Sequence, residues 1–247
     1  MLSYQHGYHA GGPADVHKHA ALARMLDKVA RERMPCTYVE THAGRGLYSL
    51  NSPEARKTGE AERGILARLR EGAKLPEPYR RAIRMTRAAY GPNAYPGSPM
   101  IARLILRPID HLHLMELHPQ EFAALRQSVA GPGIRVLRQD GLDAALALLP
   151  PRQGSGFLFI DPSYEVKAEY AAVASFVQKV IARWPDARLL LWYPILEQGL
   201  HELMIEKLER MRLPGHEHDR VYFPAEISPR LRGSGLIGLN MPQDLSM

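Results

Sequence analysis

The stretch Gly156-Phe-Leu-Phe-Ile-Asp-Pro-Ser-Tyr-Glu165 decides the fold of this 247-residue chain. The apolar run over residues 157–160 predicts a strand that is buried on both faces of a sheet. Pro162 has no backbone N–H to give to a sheet, so the strand should end there. We therefore expect Asp161, Pro162 and Tyr164 to lie together at the carboxyl edge of the sheet, where open α/β sheets bind ligands.

These three residues suit the methylation of an exocyclic amino group on a nucleobase. The lone pair of such a nitrogen is delocalised into the ring, so the nitrogen needs help to become nucleophilic. Asp161 and the carbonyl of Pro162 can accept both amino hydrogens and stabilise the charge that grows during attack. Tyr164 can stack on a base that has left its helix. The alternative is an ordinary turn, with Asp161 as a local cap and Tyr164 at the edge of the core.

Composition indicates a globular protein of a reducing compartment. Hydrophobic residues form 45% of the chain, which suits one large domain or a domain with an insert. Mean hydropathy is -0.27, and no apolar run approaches the roughly 20 residues that span a bilayer, so we expect a cytoplasmic protein without membrane contact. The single cysteine, Cys36, excludes an internal disulfide. The net charge of +6 and the pI near 9.5 favour a polyanionic partner.

The opening segment carries four histidines, His6, His9, His17 and His19. No cysteine lies near them, and the last two do not share a helix face, so we predict no metal site. The segment is instead expected to form a lid over a ligand, followed by a helix over residues 14–33.

Three more predicted strands end in an acidic residue. The first leads into Glu40 and a loop with Gly44 and Gly46, which fits the first loop of an enzyme that uses S-adenosylmethionine better than a dinucleotide site. The second ends in Glu116, where an acid can take both ribose hydroxyls of a nucleoside cofactor; the alternative is a cap on the next helix. The third ends in Asp140, where an acid can accept from an adenine amino group.

The remaining pattern completes an α/β domain. Ser98 is expected as the N-cap of a helix that begins at Pro99. Two last strands are expected over residues 220–227 and 236–241. Seven strands that alternate with helices predict a Rossmann-like, mostly parallel sheet with helices on both faces, whose strand ends form one crevice.

Residues 51–95 interrupt this alternation and predict an inserted helical subdomain. Two helical patterns, over residues 60–72 and 77–90, replace the usual single helix. Ten basic residues against five acidic ones give the segment a charge of +5. Arg80, Arg84 and Arg87 fall on one helical face, so we expect the insert to bind the phosphate backbone of a nucleic acid. The predicted boundaries are residues 1–50 and 96–247 for the catalytic domain and 51–95 for the insert.

Taken together, these motifs resemble the RlmJ family of ribosomal RNA adenine-N6 methyltransferases. The specific parts are Leu2-Ser-Tyr-x-His6-x-x-His9-Ala-Gly with Ala14-Asp-Val-x-Lys18-His19, and Tyr95-Pro-Gly-Ser-Pro99. Asp-Pro-x-Tyr is shared by many amino methyltransferases. Further matches lie at Thr41-His-Ala-Gly44, Glu116-Leu-His-Pro119, Asp140-Gly141 and Leu191-Trp-Tyr-Pro194.

The resemblance implies a class I methyltransferase that uses S-adenosylmethionine, releases S-adenosylhomocysteine and requires no metal. The implied substrate is one adenine of 23S ribosomal RNA or a large-subunit precursor, and the enzyme is a monomer. Asp161 is then the catalytic acceptor, and Tyr4 and His6 contact the RNA. The implied cofactor contacts are Lys18, His19, His42, Gly44, Ser98, Glu116, Asp140, Gly141 and Asp161.

The family usually has a second proline where this chain has Ser163, which leaves the loop more conformational freedom. Two other functions remain open. One is a DNA adenine-N6 methyltransferase on the same sheet, since the insert and the N-terminus choose the polymer. The other is a catalytically silent nucleic-acid-binding protein, against which the intact Asp161-Pro162 pair and the loop with Gly44 and Gly46 argue.

Overall fold

A computed structural model of the chain describes residues 5–152, 154–213, 215–228, 231–242 and 244–245. Its centre is a seven-stranded sheet, beside which two short strands form a separate antiparallel pair. The strands are β1 (Cys36–Glu40), β2 (Leu47–Ser49), β3 (Ala94–Pro96), β4 (His111–Met115), β5 (Ile134–Leu137), β6 (Ser155–Ile160), β7 (Leu189–Leu196), β8 (His216–Tyr222) and β9 (Leu231–Leu239).

The sheet confirms the predicted fold class. Its strands lie in the order β5-β4-β1-β6-β7-β9-β8. The first five run parallel to one another, whereas β9 runs antiparallel to both β7 and β8. Because β5, β4, β1 and β6 are neighbours, the acidic residues that follow them meet along one edge.

The predicted central strand is confirmed as well. All four side chains of residues 157–160 are fully buried in β6. Gly156 begins this run because a side chain there would collide with Trp184 and Pro151, which cover the start of the strand.

Nine α-helices are described, together with a 3₁₀ turn (His6–Tyr8) and a π-helical turn (Glu62–Leu66). The α-helices are α1 (Pro13–Val29), α2 (Pro53–Thr58), α3 (Ala67–Arg70), α4 (Glu77–Tyr90), α5 (Ser98–Ile105), α6 (Pro119–Ser128), α7 (Gly141–Leu148), α8 (Ala168–Arg183) and α9 (Leu200–Arg210). None of these described helices has the length and apolar character needed to cross a lipid bilayer.

Proline sets the start of five helices. Its ring fixes a helical φ, and its missing N–H would have no partner in the first turn of a helix anyway. The prolines in question are Pro13, Pro53, Pro78, Pro99 and Pro119.

The prediction that Ser98 caps α5 was wrong. Gly97 occupies the N-cap position, and Ser98 is the first helical residue. The Ser98 hydroxyl instead donates to the buried carboxyl of Glu40 at 2.5 Å. The buried Glu40 carboxyl needs a hydrogen-bond donor, and this need outweighs the benefit of an N-cap on α5.

The insert is closed at its base by the pairing of β2 with β3, which joins Leu47 to Pro96 and Ser49 to Ala94. Within it, α4 matches its prediction and packs against α1 and α5. The single helix predicted over residues 60–72 is replaced by short pieces, because Gly64 has a non-helical backbone.

The predicted bounds of the last two strands were also displaced. The strand expected over residues 220–227 is β8, which ends at Tyr222, and the strand expected over 236–241 is β9, which begins at Leu231. Polar residues dominate β8 because it is the edge strand of the sheet. The apolar alternation used for the prediction is therefore weak there.

Glu40, at the end of β1, is fully buried and does not face a ligand cavity. The Tyr38 hydroxyl donates to its Oε2 at 2.9 Å, and Ser98 donates to its Oε1. Burial raises the pKa of Glu40 to about 8 in spite of these donors. The group is therefore largely protonated at neutral pH.

Replacing Glu40 with glutamine should remove a pH dependence of stability. The unfolded pKa is near 4.5, so between about pH 4.5 and 8 the folded wild type binds the extra proton and its free energy of unfolding falls as pH rises. Glu40→Gln mimics the protonated form at every pH. Urea denaturation between pH 5 and 9 should show the wild type losing about 4 kcal/mol relative to Glu40→Gln. Parallel curves would contradict the assigned protonation.

A methyl group at Gly64 should loosen the contact between the insert and the N-terminal segment. Its Cβ would lie 2.2 Å from the carbonyl oxygen of Gly11, which accepts from the Ile65 amide at 2.8 Å. We expect Gly64→Ala to lower the free energy of unfolding in urea by about 1–3 kcal/mol. Gly131→Ala is the control, because its Cβ would meet Ile134 at an ordinary 3.5 Å. Equal losses in the two variants would contradict the prediction.

Candidate active site

A cavity of about 250 Å³ opens where β5, β4, β1 and β6 end. We call it the first cavity. It brings together each of the nine residues predicted to contact the cofactor, and His6 and Pro162 line it as well. The nine are Lys18, His19, His42, Gly44, Ser98, Glu116, Asp140, Gly141 and Asp161.

Glu116 orders the loop that follows β1. Its Oε2 accepts from the Gly44 amide at 2.8 Å, and its Oε1 accepts from the His118 amide at 2.7 Å. Burial raises the pKa of Glu116, while these two amides oppose the rise. The backbone at Gly44 has φ +61°, and a Cβ there would lie 2.4 Å from the Tyr48 hydroxyl, so this position requires glycine.

Asp140 caps α7. Its Oδ1 accepts from the amides of Leu142 and Asp143 at 3.0 and 3.1 Å, while the residue also lines the first cavity. At Gly141, a Cβ would stand 1.7 Å from the carbonyl oxygen of Thr41, so the start of α7 can approach the β1 loop only with glycine there.

Two histidines in the wall of the first cavity are uncharged at neutral pH. Burial lowers the pKa of His42 to about 4, and its Nδ1 lies 2.8 Å from the Thr41 hydroxyl. Burial likewise lowers the pKa of His19 to about 3. His19 Nδ1 lies 2.8 Å from the hydroxyl of Tyr95, which is itself 2.7 Å from the hydroxyl of Tyr79 in α4. The insert thus contacts the cavity wall through buried hydroxyls.

Lys18 is held between two carboxylates. Its Nζ donates to Asp161 Oδ2 at 2.7 Å and lies 3.2 Å from Asp15 Oδ1. Burial opposes the charged amine, but Asp161 and Asp15 raise the pKa of Lys18 above its usual value. Burial raises the pKa of Asp161, and the Lys18 ammonium opposes this rise. His6, whose Nε2 lies 3.0 Å from Asp15 Oδ2, contributes to the same cluster.

The two oxygens of Asp161 differ. Oδ2 accepts from Lys18, whereas Oδ1 has no hydrogen-bond partner within the described ranges. Oδ1 is not one of the polar atoms that are fully buried without a partner, so it keeps some exposed surface. One oxygen is therefore anchored, and the other remains able to accept from a ligand.

Tyr164 does not line the cavity. Its side chain is 5% exposed, its hydroxyl donates to the Trp192 carbonyl at 3.0 Å, and its ring centroid lies 4.4 Å from that of Tyr170. The backbone at Tyr164 has φ +55°, which turns the chain back into the core. The stacking role expected of Tyr164 is therefore unavailable in this arrangement. Its contacts are those of an anchor for the loop after β6.

A second cavity of about 500 Å³ lies beside the first. It was not predicted from sequence. His6, Lys18, Ser163 and Trp192 line both cavities. The sequence did not predict Trp192 as a site residue, because it lies inside the apolar run of β7. Its position in a strand that follows β6 could have indicated that it lies near Asp161. The other residues of the second cavity are His9, Ala14, Asp15, Lys57, Thr58, Glu60, Arg63, Leu196, Ser228 and Leu231.

The three arginines of α4 that were predicted to share one face are not equivalent. Arg80 and Arg84 are exposed and both pair with Glu77, at 2.5 and 2.8 Å. Arg87 is half-buried, and its Nε and Nη2 are enclosed without a partner among the described residues. Of the two N-terminal residues expected to touch a nucleic acid, His6 lines the first cavity and Tyr4 lies outside the described residues.

Comparison with known proteins extends these observations. Two curated relatives are each named Ribosomal RNA large subunit methyltransferase J. The one from Escherichia coli is 36% identical and the one from Haemophilus influenzae 33% identical, with 99% of this chain and 89% of each relative covered. A crystal structure of protein LPL1258 from Legionella pneumophila has a TM-score of 0.84 at 31% identity, and covers 95% of this chain and 88% of that one.

The model of one protein family matches residues 33–247. The match spans most of the seven-stranded sheet together with the loops that carry Gly44, Glu116, Asp140 and Asp161. This chain belongs to the family of the ribosomal RNA large subunit methyltransferase D, RlmJ.

Proposed function

We propose that this protein transfers a methyl group from S-adenosylmethionine to the N6 amino group of one adenine in 23S ribosomal RNA. The names of the curated relatives support a ribosomal RNA of the large subunit as the substrate. The observation that carries the chemistry is the Asp161 carboxylate, with Oδ2 anchored on Lys18 and Oδ1 left to accept. The monomeric state and the cytoplasmic location expected from sequence belong to this proposal.

The residues of the first cavity fit S-adenosylmethionine. Glycines at positions 44 and 141 bring backbone close to the space a nucleoside would fill. Glu116 ends β4, where an acidic residue commonly binds ribose hydroxyls, and Asp140 and His42 line the wall near it. S-adenosylmethionine, when bound, supplies an electrophilic methyl group. The protein's own part is to hold the acceptor nitrogen in line with that group.

The second cavity suits the target adenine. It meets the first cavity at Lys18, Ser163 and Trp192, so a base held there would direct its amino group toward the end of β6. Asp161 Oδ1 and the carbonyl of Pro162 would accept the two amino hydrogens. The nitrogen gains positive charge as it attacks the methyl group. Two acceptors for its hydrogens stabilise this charge.

Basic residues beside the second cavity support an RNA backbone as its neighbour. Lys57 and Arg63 of the insert line this cavity. The whole chain carries a net charge of +6, and contacts with phosphates supply much of the affinity for nucleic acids. Arg80 and Arg84 are exposed on α4. The insert would thus bind backbone while the sheet edge carries out the chemistry.

Removing the Asp161 carboxylate should abolish turnover and spare much of the cofactor affinity. We expect Asp161→Ala to lower kcat at least about 100-fold, because it deletes a group that stabilises developing charge. The affinity for S-adenosylmethionine, measured by calorimetry, should fall less than about tenfold, since the other cavity residues remain. Turnover is measured as transfer of labelled methyl to unmethylated, deproteinised large-subunit RNA.

The control for this experiment is Asp143→Ala, because Asp143 is exposed on α7 and lies outside the first cavity. Duplex and single-stranded DNA are tested beside the RNA. Retained turnover in Asp161→Ala would contradict the assigned role. Label on DNA alone would make the protein a DNA methyltransferase, and a wild type that binds the cofactor but labels no acceptor would contradict the proposed reaction.

Glu116→Gln should weaken cofactor binding. The carboxylate uses one oxygen for each of two backbone amides, and an amide side chain offers a single acceptor. Losing one charge-assisted hydrogen bond should raise the Kd for S-adenosylmethionine about tenfold or more. Asp143→Asn is the matched control, because Asp143 is exposed on α7 and lies outside the first cavity. An unchanged Kd in Glu116→Gln would contradict the role of this loop.

A further inference from the structure

A buried chain of side chains links the C-terminal hairpin to the candidate active site. Trp192 Nε1 donates to the Ser234 hydroxyl oxygen at 2.7 Å. That oxygen lies 2.9 Å from His17 Nδ1, and His17 Nε2 lies 3.1 Å from Asp219 Oδ2. Ser234 is fully buried, and His17 and Trp192 are 6% and 9% exposed. We call Asp219, His17 and Ser234 the anchor of Trp192.

The direction of every hydrogen bond in the anchor follows from the donors available. An indole N–H can only donate, so the Ser234 oxygen accepts from Trp192. The hydroxyl hydrogen of this fully buried serine then needs an acceptor, which His17 Nδ1 supplies. His17 consequently carries its proton on Nε2 and donates it to Asp219. The amide oxygen of an asparagine at position 219 could also accept this hydrogen bond, without the carboxylate's charge.

Trp192 in turn contacts Lys18, one partner of the ion pair at the end of β6, and Tyr164 in the loop that follows Asp161. Lys18 Nζ stands 4.9 Å from the centre of its indole ring, within the range of a cation–π contact. The Trp192 carbonyl accepts from Tyr164, three residues beyond Asp161. The χ2 torsion of tryptophan has broad energy wells, so a bond to its N–H is needed to select one ring orientation.

We propose that Trp192, held by its anchor, is a positioning residue for the methyl transfer. Its ring orientation fixes Lys18, Lys18 fixes Asp161 Oδ2, and Asp161 Oδ1 is thereby directed at the substrate amino group. This inference rests on the proposed function and deepens it, because it extends the reaction machinery to β8 and β9. A small displacement of a group that orients reactants can lower a rate about 100-fold.

Kinetics of three variants test the inference. Ser234→Ala removes the acceptor for the Trp192 N–H, and we expect kcat to fall about tenfold or more while the KM for S-adenosylmethionine changes less than about threefold. Asp219→Ala should behave similarly. Asp219→Asn keeps a carbonyl acceptor for the His17 N–H and should regain most of the lost kcat, which a general loss of packing would not predict.

The matched control is Glu217→Ala, on the same strand and the same face as Asp219. Its Oε2 accepts from the Leu245 amide at 2.7 Å, so the variant loses one partly buried hydrogen bond without touching the anchor. We expect some loss of stability and an unchanged kcat. A kcat in Ser234→Ala within about threefold of the wild type, or equal kcat values in the two Asp219 variants, would overturn the inference.

Fluorescence gives a readout that does not depend on turnover. The chain has two tryptophans, so Trp184→Phe leaves Trp192 as the single emitter. In this background, Ser234→Ala, Asp219→Ala and Lys18→Met should each shift the emission of Trp192, and Asp219→Asn and Glu217→Ala should not. An unshifted emission in Ser234→Ala would overturn the inference. A wild type inactive on RNA that shows the expected shifts would refute the proposed function and leave the anchor supported.

Discussion

The structure depends on one buried cation held between two carboxylates. Lys18 Nζ lies 2.7 Å from Asp161 and 3.2 Å from Asp15, and the three side chains are only 3%, 10% and 2% exposed. Removing Lys18 would leave two buried carboxylates without their shared cation, at a cost of about 3–5 kcal/mol. Because Asp161 follows β6 while the other two residues lie on α1, the interaction that anchors the Asp161 carboxylate also fixes the N-terminal helix to the sheet.

The acidic residues at the strand ends have different roles because their surroundings differ. Glu40 has a pKa of about 8 and serves as a neutral hydrogen-bonding group in the core. Glu116 gives both oxygens to backbone amides and shapes a loop. Asp140 caps a helix. Asp161 pairs with an ammonium through a single oxygen and keeps the other for a ligand. Strand position brings these acids together, and their partners decide what each one does.

Sequence predicted the sheet and the acidic residues at its strand ends because both follow from local patterns, whereas the other residues expected at the cofactor site came from the family resemblance. A four-residue apolar run and an acid at a strand end are visible in a short window. The predictions that differ from the structure concern residues whose partners are distant in the sequence. Tyr164 points inward because a carbonyl of β7 accepts from it, and Ser98 leaves its capping role because Glu40 needs a donor. The second cavity was missed because the insert and β7, far apart in the chain, enclose it together.

The hydrogen bond between His17 and Ser234 spans 217 positions of the chain. β9, which carries Ser234, is the last strand in sequence and inserts between β7 and β8. Contacts of such long sequence separation carry a large entropic cost of loop closure, which slows folding. In a nascent polypeptide, α1 and the end of β6 are therefore synthesised before Ser234, which accepts from the indole N–H of Trp192. The surroundings of Lys18 become complete only when translation has reached the final strand.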